Sequence, residues 1–557
     1  MDIISCGILT ALELVAFIPD REHSSSSVSK QFLIGLVAQY VILKFYRVVL
    51  YPNYFSPLRH LPGPKDHNII LGQEVKKFKA ESPAGVQLTW MRQWPDAPFI
   101  RYLSFAGNEV LLVNSLAAYK AVLQTHVYDF VKPPFFARLV GEITGVGLLF
   151  AEGDLHKRER RLLASPFSVP SMRKLLPVFR GKAKDLSEGF EKLLRDKPYA
   201  TVEATETLSK STMDTIGVTV LGIELDTISS MYPQSFQELY GHVLQQGTVG
   251  QLISVVNAFV PIRSIVPLEA NRKFIQTTTD LRKMLRDIIQ QRTADLADGT
   301  FIRKMGESRD LLTYMLEEVE LRRQETGKEV WSVDDIIGHL LNFTSAGHET
   351  TATTLTWCLY VLATNHSVQD RLRTEINSLL ETNPEPDYDS IFGLPFLHNF
   401  IREVLRVFTP GYMSQRKSTR PLVIENVRIP TGTQIDILIP LAHQNPTIWG
   451  ADANVFDPDR WDSLSGDAAS PFAFEAFLQG PRTCPGRNFS LVEIKAVLVE
   501  LVPRWRFLGI ESTEKGQGGE LLTAGEERVG RGVRLANPSL TYRPVDGLFV
   551  RFERFSG

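Results

Sequence analysis

The chain is predicted to be mainly α-helical with small β-sheets: a single body at residues 61–557 behind an N-terminal membrane anchor and linker at residues 1–60. Three observations predict this. Apolar residues crowd the first fifty positions, helix-period patterning dominates the middle of the chain, and strand-like alternation is confined to short patches. The 557 residues carry 61 Lys plus Arg against 63 Asp plus Glu, with 43% hydrophobic content. That balance excludes a basic-patch nucleic-acid binder, a wholly disordered chain and a many-spanning membrane protein.

Taking the elements in order, Ile3 to Ile18 is apolar apart from Ser5, Thr10 and Glu13. It is short and carries a carboxylate, which is costly at a bilayer centre. Phe32 to Leu43 is a second apolar run that Lys44 and Arg47 extend to Tyr51 if their heads snorkel to the interface. Residues 32–51 are the better span, and 3–18 an alternative second span or interfacial helix. A signal peptide fits poorly, because no basic segment precedes the first run. Lys44, Arg47, Arg59 and Lys65 on the downstream side place the body in the cytosol. Leu61-Pro62-Gly63-Pro64 then reads as a stiff elbow, or as an ordinary Pro-Gly turn.

In the body, helices are expected near 171–195, 266–299, 334–364, 366–381 and 396–408. Strands are expected at Phe99 to Phe105, Val110 to Val113, Leu422 to Ile429, Gln434 to Ile439 and Leu548 to Phe552. The Gly-rich stretch 512–532 reads as a surface loop.

Three cysteines, Cys6, Cys358 and Cys484, are too few for a disulfide framework or a zinc cage. Other chemistries fail on single positions. His348-Glu349-Thr350-Thr351-Ala352 lacks the second histidine of a zincin helix, and Phe343 replaces the first glycine that a nucleophilic Ser345 would need. Gly145-Val146-Gly147 lacks the third glycine of a dinucleotide site, and there is no P-loop.

What remains is the loop Phe477 to Arg487, with two glycines and two prolines ahead of a helical run. A thiol at a helix N-terminus sits in positive potential, which favours the thiolate. One thiolate there suits an axial metal ligand better than a zinc cage, although a cysteine in such a loop also serves as a turn residue. The spacing Phe477, Gly480, Arg482, Cys484, Gly486 resembles the haem-binding loop of cytochrome P450 enzymes, with no departure at its defining positions. The resemblance covers about residues 61–557 and identifies the chain as similar to microsomal, fungal-type members.

Three further motifs resemble the family's in order. Ala346-Gly347-His348-Glu349-Thr350-Thr351 lies in the long helix. Gly347 suggests close approach of something flat and large, because a mid-helix glycine costs about 1 kcal/mol. The Thr350 hydroxyl can reach the Ala346 carbonyl and loosen the helix. A core helix with satisfied hydroxyls is the alternative; the resemblance implies oxygen activation by Thr350 and Glu349. Glu403 and Arg406, three apart on one helix face, would pair, and the family's proline-arginine motif adds Arg460 as a structural third partner. The family's tryptophan-to-arginine motif appears as His156 and Arg160, a departure at the first position. With Arg482 and Arg416, these would bind the haem propionates.

The resemblance implies a thiolate-ligated haem b on Cys484 and NADPH acting indirectly through a separate NADPH–cytochrome P450 reductase. The reaction expected is monooxygenation of a lipophilic small molecule at an endoplasmic reticulum membrane. Lys157, Arg158 and Arg161 offer a basic face for an acidic reductase, or simply a solvated helix face. Phe135, Phe136, Leu139, Val146, Leu148, Phe343, Tyr412 and Met413 would line an apolar pocket or pack the core. The ending Tyr542 to Arg551 resembles fungal members and points to a terpenoid or polyketide intermediate. Two rivals stand beside this reading: an isomerase or dehydratase of the same fold working without dioxygen, and a non-catalytic haem- or lipid-binding membrane protein.

Overall fold

A computed structural model describes residues 6–12, 25–227, 235–244, 246–298, 309–511, 521–522, 533–537, 539 and 541–556. Helix α1 (Ser25–Phe45) continues through a wider, i→i+5 bonded segment to Phe55. Its stretch Ser29–Phe55 is apolar, outside the core and long enough to cross a bilayer. Of the earlier apolar run, residues 6–12 are helical and Thr10 donates to Gln39 of α1 at 3.1 Å, while the rest lies outside the described residues. The proline elbow is docked on the body. The Pro62 carbonyl accepts from Arg101, and a Cβ at Gly63 would come within 1.8 Å of the Arg101 carbonyl.

The principal helices of the body are α2 (Pro134–Thr144), α3 (Gly153–Leu162), α4 (Val169–Leu194), α5 (Ala204–Ile216), α6 (Thr248–Phe259) and α7 (Glu269–Ala297). They are followed by α8 (Val333–Thr364), α9 (His366–Thr382), α10 (Pro395–Val407) and α11 (Arg487–Arg504). Helix α8 starts at a capping box. The Ser332 hydroxyl accepts from the Asp335 N–H, and the Asp335 carboxylate accepts from the Ser332 N–H. Its 32 residues span about 48 Å, and its second half is buried all round, so it forms the axis on which α5 and α11 pack.

Strands β1 (Phe99–Leu103), β2 (Glu109–Val113), β3 (Phe130–Val131), β5 (Met413–Ser418) and β8 (Gln434–Leu438) form one sheet in the order β1-β2-β8-β5-β3. Only β2 and β8 run parallel in it. A second sheet, antiparallel throughout, is ordered β10-β9-β11-β4, from β4 (Ala200–Glu203), β9 (Trp505–Glu511), β10 (Leu521–Leu522) and β11 (Phe549–Arg554). The patch expected as one strand at 422–429 is a hairpin of β6 (Leu422–Ile424) and β7 (Val427–Ile429). Glu425 and Asn426 turn it with positive φ at both central positions, the shape that a two-residue hairpin loop requires. Apart from β10, the expected loop at 512–532 falls outside the described residues.

Candidate active site

The Cys484 loop is shaped by close contacts. Gly480 has φ +74°, and a Cβ there would lie 2.2 Å from the Leu123 carbonyl, so only glycine fits. Leu478 also adopts positive φ, the Cys484 N–H donates to the Phe477 carbonyl at 2.8 Å, and Thr483 Oγ1 donates to Leu478 O at 3.0 Å. These bonds present the sulfur at the start of α11. Burial pushes the Cys484 thiol up, while the backbone N–H groups of Gly486 and Arg487 and the charges of Arg160 and Arg487 pull it down. The helix N-terminus acts as expected, but in the protein alone burial outweighs it.

Around the loop lies a cluster of bases. Arg482 donates to Ala151 O at 3.0 Å and pairs with Glu152, yet its Nε is buried with no hydrogen-bond partner. Arg416 is buried on β5, where among the described residues it bonds only to Ser414 Oγ and Gln415 O, both 2.8 Å, and burial and Arg482 bring it down to about 10. Lys132, absent from the sequence reading, is lowered to about 7 by burial, Arg416 and Arg482. His156 on α3 is buried, touches Tyr128 Oη at 3.3 Å, and is held neutral at about 4 by burial and by Arg482, Lys132, Arg160 and Arg416. Among the described residues, Glu152 is the one carboxylate that acts on Lys132 and Arg416. Such a cluster is costly by itself and matches a ligand bearing two anionic groups. A haem, with a thiol for its iron and bases for its propionates, fits these residues.

On α8, Thr350 Oγ1 donates to Ala346 O at 2.6 Å, the bond expected from the sequence. The helix is continuous from Val333 to Thr364. A Cβ at Gly347 would meet Ile216 Cδ1 at 2.6 Å, so the glycine admits close packing of helix α5. Glu349 accepts from Thr541 Oγ1 at 2.8 Å and lies 3.7 Å from Arg543 Nε.

Behind the loop, Glu403 and Arg406 on α10 are both 0% exposed and joined by two bonds of 2.7 and 2.9 Å. Glu403 also accepts from Arg460 Nε, the Trp461 indole and the Asp457 N–H, and Arg406 donates to the carbonyls of His443, Ala453 and Val455. His443 extends the lattice to the loop. Its Nε2 accepts from the Glu475 N–H at 2.9 Å, two residues before Phe477, and burial, with the Arg406 charge, holds it neutral at about 3.

The residues expected to line a pocket differ in their packing. Phe343 stacks on Phe167 at 5.0 Å inside the main core, and Tyr412 is buried with its hydroxyl on Ser539 O. Val146 is exposed, and Leu148 is buried with its N–H on His339. Phe135 stacks on Phe259 of α6 at 5.7 Å, and Phe136 approaches Phe150 at 6.1 Å. Met413 begins β5. On α3, Lys157 is paired with Asp154 and Arg158 with Glu159, while Arg161 is exposed.

The cytochrome P450 family model matches residues 78–521. Three fungal relatives illustrate the match. Cytochrome P450 monooxygenase ALT8 of Alternaria alternata is 28% identical, over 98% of this chain and 98% of its own. Cytochrome P450 monooxygenase FUM15 of Gibberella moniliformis is 29% identical over 82% and 84%. Cytochrome P450 monooxygenase sphH of Aspergillus fumigatus is 27% identical over 83% and 85%.

Proposed function

Because the chain belongs to the cytochrome P450 family and is one of its monooxygenases, we propose that it oxidises a lipophilic terpenoid or polyketide intermediate of fungal secondary metabolism. Electrons come from NADPH through a separate membrane-bound reductase. The observation that carries the site assignment is the pairing of the Cys484 thiol with a base cluster short of anions. Cys484 holds the haem iron; Arg482, Arg416, Arg160 and His156, joined by Lys132, hold the propionates. The bound haem supplies activation of dioxygen and transfer of one oxygen atom to a C–H bond.

The chain's own residues do the rest. Phe477, Gly480 and Gly486 keep the sulfur at the mouth of α11, and Glu403, Arg406 and Arg460 brace the loop from behind through His443. Thr350 and Glu349, beside Ala346 and Gly347 on α8, would move protons. The segment Ser29–Phe55 supports an anchor in the endoplasmic reticulum membrane, with residues 61–557 as the catalytic domain on the cytosolic side.

Arg161 supports the reductase face better than Lys157 and Arg158, whose charges are already paired on their own helix. Removing all three charges slows reduction by the reductase most at low salt; a rate unchanged across a salt series contradicts this face. The deciding experiment supplies anchored membranes with reductase, NADPH and oxygen. Product that needs all three supports the monooxygenase, whereas product formed without NADPH or oxygen favours the isomerase reading.

A further inference from the structure

The acid on α8 is held by the far end of the chain. Thr541 Oγ1 donates to Glu349 Oε1 at 2.8 Å across 192 residues of sequence, and Arg543 Nε stands 3.7 Å from the same oxygen. Arg543 Nε is buried and, among the described residues, has no hydrogen-bond partner. Between these two residues the backbone is fixed from both sides. The Tyr542 N–H donates to Pro410 O at 2.9 Å, and Tyr542 O accepts from the Trp357 indole at 2.8 Å. Trp357 lies seven residues beyond Thr350, two turns along the same helix, and stacks on Phe408 at 4.3 Å. A short stretch of chain is therefore bolted to α8 at both Glu349 and Trp357, and its two flanking side chains converge on one carboxylate oxygen. Tyr240 and His348 are the other titratable groups that the Glu349 charge acts on.

A carboxylate able to move protons works only if its oxygens face the right way, and a hydroxyl at 2.8 Å with a guanidinium behind it fixes that direction. We infer that Thr541 and Arg543 are positioning residues for Glu349: they hold its carboxylate in one orientation on α8, so that proton delivery depends on the C-terminal segment as well as on the helix. Thr541 sets the direction through its hydrogen bond. Arg543, more exposed and farther away, adds charge without a directed bond. The inference rests on the reading of Glu349 as a proton-moving acid.

The test uses the full-length haem-loaded protein with reductase and compares Glu349→Gln, Thr541→Val, Thr541→Ser, Arg543→Met and Arg543→Lys. Product formed per NADPH consumed falls at least about threefold in Thr541→Val with KM within about twofold, recovers in Thr541→Ser, and falls less in Arg543→Met than in Thr541→Val. A second readout needs no turnover. In the resting protein, hydrogen exchange at the peptide containing Tyr542 speeds up in Glu349→Gln and in Thr541→Val, and the double variant exchanges no faster than either single one. If Glu349→Gln lowers coupling while Thr541→Val and Arg543→Met match wild type in coupling and exchange, the positioning role is overturned and the acid's role stands. If Glu349→Gln itself leaves coupling unchanged, the reading of the acid fails and this inference fails with it.

Discussion

Two charged regions flank the Cys484 loop, and they differ in where their partners come from. In the lattice behind the loop, every charge has a protein partner: Glu403 takes four donors, and Arg406 reaches three carbonyls besides the acid. In the cluster beside it, Arg482, Arg416, Lys132 and His156 crowd one another around Glu152, and Arg482 Nε is left without a bond. Burial is similar in both, so burial does not separate structure from binding. Satisfaction does. Charges completed by the chain hold the fold, and those it leaves incomplete are the ones proposed to meet the haem propionates.

Removing one member of the complete region has the largest effect. Glu403→Ala strands two guanidinium groups, one fully buried, at a cost of about 3–5 kcal/mol, read as a lower unfolding midpoint and little haem in the soluble fraction. A variant with full haem content breaks the distinction. In the incomplete region the order reverses. Arg482→Met relieves repulsion, so the haem-free protein keeps its stability, while transfer of haem to an acceptor protein accelerates by about tenfold. Loss of stability without faster haem loss would make that region structural too.

Lys132 sharpens the contrast through pH. Its folded value of about 7 lies below the unfolded 10.5, so the unfolded chain binds more protons between these limits. Stability of the haem-free protein therefore rises with pH across that window and is lost as pH falls through it, with a slope on the order of 1 kcal/mol per pH unit. Lys132→Met flattens the slope; chemical unfolding at several pH values measures it. The smallest effect belongs to the solvated pair Lys157 and Asp154, where Lys157→Gln leaves the unfolding midpoint unchanged.

The same contrast explains what could be read from residue order. Helix α8 was legible because its period, its Ser332 cap and Asp335 are all local, and the Cys484 loop because its glycines, arginine and thiol lie within ten positions. Strand β5 was not, since Met-Ser-Gln-Arg-Lys-Ser has no apolar alternation and gains its conformation from pairing with β8. Lys132, His443 and Thr541 act on the site only through contacts with distant parts of the chain, which no spacing announces. At Gly347 the need for space was legible in the sequence, whereas Ile216, the side chain that packs closest to it, lies 131 positions away and was not.

The central claim is that Cys484 is the iron ligand, and the spectrum of the reduced, carbon monoxide-bound protein tests it most directly. The wild type should show the red-shifted Soret band of a thiolate ligand, and Cys484→His should bind haem without it. A haem-loaded wild type lacking that band, or a Cys484→His variant retaining it, would contradict the assignment.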